Sequence, residues 1–304
     1  MTTIAEQAKD VKAAAASGLA AEVLAVFATD QAALAAGGIP PGAVAVGDQL
    51  AAFTLPDATG QLRTLDELTV DGPAVIVFYR GGWCPYCNLT LRTYERDLLP
   101  QLSAYSARLI AISPETPDAS LGTQEKDELT YTVLSDTGAH VADALRITFD
   151  PSQEGLIAQR TLGVDIRASR EDRGTRLPMP TVLIVDRDHI LRFVDIHPDY
   201  TGRTEVSDIL AGLRTLPPSD PTYRATGRST PTRRSPRSTH TARGRSAIAD
   251  GRRTIERRIA ESLVLTVGAV EKHIQSILSK LDLQQSATDH RRVPAVLAYL
   301  QQSD

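Results

Sequence analysis

Cys84 and Cys87 are the only two cysteines in 304 residues, and the run Cys84-Pro85-Tyr86-Cys87 sets their thiols one helical turn apart. A pair at that spacing can cycle between dithiol and disulfide. Ala74-Val75-Ile76-Val77-Phe78-Tyr79 precedes it, an unbroken apolar run of the kind a strand covered on both faces requires. Pro85 suits the first position of a helix, where no amide donor is needed, and Cys87, Leu91, Tyr94 and Leu98 then recur at helical spacing. Cys84 is therefore expected at a helix N-terminus, where unpaired amides and the helix dipole favour a thiolate and lower its pKa. Arg80 adds positive charge nearby. Cys84 is read as the attacking thiol and Cys87, one turn on, as the more buried partner that resolves a sulfenate or mixed disulfide.

Two other readings of the pair are an inert buried couple and half of a zinc site. A tetrahedral site needs two further ligands, and His140, His189, His197, His240, His273 and His290 show no paired ligand spacing. The strand and helix around the cysteines favour redox chemistry, with no metal and no cofactor. Trp83 adjoins the attacking thiol and is read as a rigid cover over it. Gly81 and Gly82 allow the turn.

Composition is that of a globular chain, with 42 % hydrophobic residues and no apolar run near the ~20 residues that span a bilayer. Glu6, Lys9, Asp10 and Lys12 stand where a secretory signal needs an apolar core, so a cytoplasmic protein is expected. The net charge of −4 hides an asymmetry. Residues 217–304 carry 15 basic and 8 acidic side chains, a balance of +7, against 18 and 29, or −11, in the remainder.

The pattern predicts two Ala-rich helices over residues 1–36, broken at Ser17-Gly18. A hairpin follows from Ala52–Leu55 and Gln61–Thr64. Beyond the cysteine helix, which Pro100 is expected to kink or end, come a strand Arg108–Ser113, a helix Pro114–Glu128, a short strand Tyr131–Leu134 and a helix Gly138–Leu145. A helix Gln153–Thr161 lies in a connecting segment. A hairpin of Thr181–Asp186 and Ile190–Asp195 and a helix from Glu205 to Leu213 close the domain. Strand, CxxC helix, strand, helix, then a hairpin and a last helix is the order of a thioredoxin-like α/β fold.

Val46-Gly47-Asp48, Val77 through Cys87, Leu134-Ser135-Asp136 and Pro180-Thr181-Val182-Leu183-Ile184-Val185-Asp186 together resemble the peroxiredoxin-like alkyl hydroperoxide reductase and thiol-specific antioxidant family, over about residues 45–215. The resemblance implies reduction of hydroperoxides at Cys84, with electrons from thioredoxin or another small thiol donor. Three departures bear on mechanism. Gly81 stands where the family places a threonine, Val77 where it places a proline, and Pro180 where it places an arginine. A substitute cation is then expected, Arg80 first and Arg203 second. Cys-Pro-Tyr-Cys is itself glutaredoxin-like, and Pro180 resembles the cis-proline that faces the thiols in glutaredoxins and thioredoxins, although an ordinary proline ahead of a strand reads the same way. Trp83, Pro180 and Thr181 are the expected substrate contacts.

From Pro217 the chain turns to Pro, Ser, Thr and Arg. Helical spacing returns after Ile248, and Ile259–Leu263, Thr266–Ile274 and Ile277–Leu281 resemble the C-terminal helix-turn-helix of LuxR-type regulators, with Lys272, His273 and Lys280 as the DNA contacts implied. Its first helix would fall in the Pro/Arg stretch, so the module reads as an incomplete remnant. The expected organisation is a helical extension over 1–44, a thioredoxin-fold domain over 45–216, a disordered linker over 217–246 and an all-α appendage over 247–304. The expected function is a thiol-dependent peroxidase. A thiol-disulfide oxidoreductase and a redox-sensing DNA binder are the alternatives, and weak nonspecific nucleic-acid binding is expected of the tail.

Overall fold

The structure is a computed structural model that describes residues 2–216. The expected linker, the helix-turn-helix and Lys272, His273 and Lys280 lie outside the described residues.

Two helices open the chain, α1 (Ile4–Gly18) and α2 (Ala21–Gly37), parted where the sequence predicts. A capping box starts α1: the Thr3 hydroxyl accepts the Glu6 amide at 3.1 Å and the Glu6 carboxylate accepts the Thr3 amide at 2.8 Å. A hairpin follows, β1 (Thr54–Pro56) against β2 (Leu62–Thr64), its turn tied by the Asp57 carboxylate to the Thr59 and Gln61 amides. Thr64 then caps α3 (Leu65–Thr69) through a second box with Glu67. This short helix escaped the sequence reading, although the Thr-x-x-Glu signal was present.

The apolar run becomes β3 (Ala74–Phe78), buried along its whole length. After the cysteines come α4 (Pro85–Thr93), a wide turn at Tyr94–Leu98 and α5 (Leu99–Leu102). Of the two outcomes expected of Pro100, a kink or an end, it does not end the helix, which runs on to Leu102. The Leu99 amide reaches back five residues to the Tyr94 carbonyl, and this widened register just ahead of Pro100 carries the helix through a residue that has no amide to give.

The remainder runs β4 (Arg108–Ser113), α6 (Pro117–Lys126), β5 (Thr132–Ser135), α7 (His140–Ala144), β6 (Thr148–Phe149), α8 (Gln153–Thr161), β7 (Leu177–Pro178), β8 (Thr181–Val185), β9 (Leu191–Ile196) and α9 (Val206–Arg214). The main sheet has the order β5-β4-β3-β8-β9, with β3, β4 and β5 parallel and β8 and β9 antiparallel additions. Alternation along β3 sends Val75 and Val77 to one face, against Leu91, Tyr94, Leu98 and Ile209, and Ala74, Ile76 and Phe78 to the other, against Leu65, Leu68 and Ala142. Helices therefore cover both faces of a mixed sheet, which is the thioredoxin-like arrangement. The small β6–β7 ladder was not foreseen, since strands of two residues leave no period to read.

Candidate active site

Where β3 gives way to α4, Cys84 occupies the N-cap and Pro85 the first helical position. The Cys84 carbonyl accepts the amides of Cys87 and Asn88 at 3.0 and 3.1 Å, which starts the helix. Both thiols are free, and each residue is only 1 % exposed. Burial therefore does not separate the pair, contrary to the expectation that Cys87 is the more enclosed.

The loop that delivers Cys84 is fixed at one residue, Gly82, through both its amide and its carbonyl. The Gly82 amide donates to Glu115 Oε2 at 2.8 Å, and the Gly82 carbonyl accepts from Asn88 Nδ2 at 2.9 Å. The Cys84 amide returns to the Gly81 carbonyl at 3.1 Å. The glycines do more than permit a turn. A Cβ on Gly82 would fall 1.9 Å from Thr123 Oγ1, and Gly81 sits at φ +152° with the Trp83 ring where its side chain would go.

Two guanidiniums flank the sulfurs. Arg80 Nη1 lies 3.9 Å from Cys84 Sγ. The Arg80 guanidinium carbon rests 4.0 Å from the Tyr200 ring centre, 4.8 Å from that of Trp83 and 5.8 Å from that of Phe149. Arg80 is 4 % exposed, its Nε has no hydrogen-bond partner, and it forms no ion pair with a carboxylate among the described residues. Arg203, the second-choice cation of the sequence reading, points Nη2 at Cys87 Sγ at 3.4 Å. Its Nη1 donates to the carbonyls of Tyr200 and Gly202.

These neighbours split the two thiols. Cys84 is held well below the ordinary thiol range, first by a hydrogen bond from the Cys87 side chain and then by the charges of Arg80 and Arg203, which together outweigh its burial. Cys87 is pushed up, by burial first and then by its bond and charge interaction with Cys84. The lower pKa falls on Cys84, the thiol at the helix start, as its position leads one to expect. Burial also raises the Glu115 carboxyl to about 7, against the Gly82 amide that favours its charged form. Arg80 and Arg203 are the cations that contact the two sulfurs, a field that suits an anion.

Trp83 is half-buried, with its ring against Arg80. Thr181 is buried and its hydroxyl donates to the Met179 carbonyl at 3.0 Å. With Pro180 it lines a small cavity on the Cys87 side of the pair, together with His197, Arg203 and Thr204. The cis-proline likeness is corrected: no peptide bond among the described residues is cis. The Met179 amide donates to the Ile147 carbonyl at 2.7 Å and the Pro180 carbonyl accepts the His197 amide at 2.9 Å, so the chain runs extended from β7 into β8 and makes no turn at this proline.

Glu115, Asn88, Tyr200 and Phe149 were not anticipated. Glu115 had a signal, as the acidic residue just past the C-terminal end of a buried parallel strand, where such sheets place their functional groups.

Fold and site together define a thioredoxin-fold protein with a polarised dithiol. The model of the AhpC/TSA family matches residues 46–194. Putative peroxiredoxin Rv1608c of Mycobacterium tuberculosis (strain ATCC 25618 / H37Rv) is 34 % identical over 96 residues, which are 32 % of this chain and 62 % of that protein. Putative peroxiredoxin bcp of Coxiella burnetii is 30 % identical over 113 residues, 37 % of this chain and 73 % of that one. The chain belongs to the AhpC/TSA family, and it spans 62 % of the length of the first M. tuberculosis relatives it matches. The crystal structure of peroxidoxin BcpB from M. tuberculosis aligns over 57 % of this chain and 97 % of that one, at 24 % identity and a TM-score of 0.44.

Proposed function

We propose that the protein is a thiol-dependent peroxidase in which Cys84 reduces a hydroperoxide and Cys87 closes the cycle. The observation that carries this reading is Arg80, a buried guanidinium with no carboxylate partner among the described residues, 3.9 Å from Cys84 Sγ at a helix start. The Cys84 thiolate attacks the terminal peroxide oxygen, the O–O bond breaks, and the alkoxide takes a proton and leaves as an alcohol or water. Cys84 becomes a sulfenic acid. The Cys87 sulfur then displaces its hydroxyl, forming the disulfide and releasing water. A dithiol donor such as thioredoxin returns the two electrons. Arg80 takes the place of the family arginine that Pro180 replaces, and Trp83, Pro180 and Thr181 are the proposed substrate contacts.

The alternative, a disulfide reductase, rests on the Cys-Pro-Tyr-Cys sequence. Cysteines only 1 % exposed admit a small peroxide more readily than a protein disulfide, and a trans Pro180 removes the second likeness to that class. Stopped-flow oxidation of the reduced protein by hydrogen peroxide tests the choice. Rapid loss of one thiol, abolished in Cys84→Ser, is expected. A Cys84 that stays unmodified over minutes while a small disulfide reacts at once would transfer the assignment to the reductase.

Among the described residues no helix is long and apolar enough to cross a membrane, and a cytoplasmic setting suits a dithiol. We also propose, from composition alone, that the chain divides near residues 44, 216 and 246. The same reading has residues beyond 216 binding nucleic acid weakly and without sequence preference. Support comes from their balance of +7 charges. Salt-resistant binding to one duplex sequence, lost in Lys272→Ala, is the result that would replace nonspecific binding with a working DNA module.

A further inference from the structure

The second half of the cycle poses its own electrostatic problem. Cys87 must present an anionic sulfur to Cys84 from an enclosed position, and before oxidation it shares its site with a sulfur that is already negative. The charged and titratable groups around it are Cys84, Arg80 and Arg203, with Tyr79, Tyr94 and His197 also lining its surroundings. His197 is engaged elsewhere: its Nε2 meets Asp195 Oδ2 at 3.0 Å and Thr204 Oγ1 at 3.3 Å. Arg203 is the group in contact, with Nη2 at 3.4 Å from Cys87 Sγ. Nη1 is anchored to the carbonyls of Tyr200 and Gly202, which fixes the guanidinium in place, and Arg203 forms no ion pair with a carboxylate among the described residues. The cavity alongside, ≈ 10 Å³ between Cys87, Thr181, His197, Arg203 and Thr204, is room for about one water that can accept a proton.

We propose that Arg203 is the catalytic cation of the resolving step, stabilising the Cys87 thiolate as it forms, while Arg80 serves Cys84. The inference rests on the peroxidase reading for the order of events. Before oxidation, the negative charge on Cys84 opposes ionisation of Cys87 and competes for Arg203. Oxidation to the neutral sulfenic acid removes both effects, and Arg203 then acts on Cys87 unopposed. The Cys87 proton leaves through the cavity, the sulfur attacks Cys84, and the displaced hydroxide takes up a proton and departs as water. The first reaction thereby switches on the second thiol, and Cys87 stays protonated and inert until it is needed.

The test begins in Cys84→Ser, where a neutral group stands in for the oxidised cysteine and Cys87 is the sole thiol. Titrating thiolate absorbance against pH gives its midpoint directly. Arg203→Met is expected to raise that midpoint by about one unit or more, a tenfold loss of thiolate at fixed pH, and Arg203→Lys to restore most of it. In the two-cysteine protein, single turnover with hydrogen peroxide is expected to show Arg203→Met slowing disulfide closure at least about tenfold more than sulfenate formation. An unmoved midpoint in protein with wild-type near-ultraviolet dichroism, or equal slowing of both steps, would overturn the proposal. Should peroxide leave wild-type Cys84 untouched, the peroxidase reading falls on that result, and the Cys84→Ser titration still decides Arg203.

Discussion

At the residue scale the site works by opposing burial with charge. Arg80 is held against Tyr200 and Trp83 and meets no carboxylate among the described residues, so its field is directed at Cys84. Arg80→Met keeps the bulk and removes the charge. It is expected to raise the Cys84 midpoint by about 1 to 2 units and slow peroxide oxidation at neutral pH about 10- to 100-fold. Iodoacetamide kinetics against pH would read the shift. Glu115 works in the opposite sense. Its folded pKa, about 7, lies above the ordinary 4.5, so the native state binds the extra proton between these values. Its contribution to stability is full below about 4.5 and is lost as pH rises through 7, on the order of 3 kcal/mol. Glu115→Gln keeps an acceptor for the Gly82 amide and abolishes this slope. The urea midpoint of the variant relative to wild type is expected to climb between pH 5 and pH 8, and a constant difference would show that Glu115 does not titrate there.

At the level of elements, the connection between β3 and α4 is the part that tolerates least. A methyl group on Gly82 meets Thr123 Oγ1 at 1.9 Å on α6, and the residue resists shifting because Glu115 holds its amide and Asn88 its carbonyl. Gly82→Ala is expected to cost about 1 to 3 kcal/mol and to slow Cys84 oxidation. Thr123→Ala in the same protein should recover much of both, so the pair should be non-additive in a double-mutant cycle of urea denaturation. Much of the layout of elements was legible because the apolar period was strong: Arg108–Ser113 and Gln153–Thr161 have the bounds that the pattern predicts. The β6–β7 ladder was too short to carry a period. Site geometry was half legible. Cys84, Pro85 and Arg80 lie within five residues of one another, so local rules reach them. Arg203 meets Cys87 across 116 positions, and Glu115 meets Gly82 across 33. Contacts of that kind depend on strand order, which Pro180, read by family likeness, also illustrates.

Over the molecule as a whole, the N-terminal helices are tied to the far end of the domain. Glu205 opens α9 through its backbone, while its carboxylate accepts the Ile4 and Ala5 amides at 2.9 and 2.8 Å, closing the exposed start of α1. On α2, Gln31 donates to the Tyr200 hydroxyl at 3.1 Å, so the extension also steadies the ring beneath Arg80. Glu205→Ala is expected to cost about 1 kcal/mol and to speed amide exchange over residues 4–18, with little change in β3 or β4. Uniform acceleration across the sheet would contradict so local a role.

Trp83 is the chain's single tryptophan, the immediate neighbour of Cys84, with its ring 4.8 Å from the guanidinium that answers to the state of that sulfur. Indole emission responds to nearby charge and to quenching sulfur, and no second indole dilutes the signal. Thiolate, sulfenic acid and disulfide should therefore each give their own brightness, and one turnover should trace a fluorescence record with two phases. The protein carries its own optical gauge of oxidation state, readable without a label.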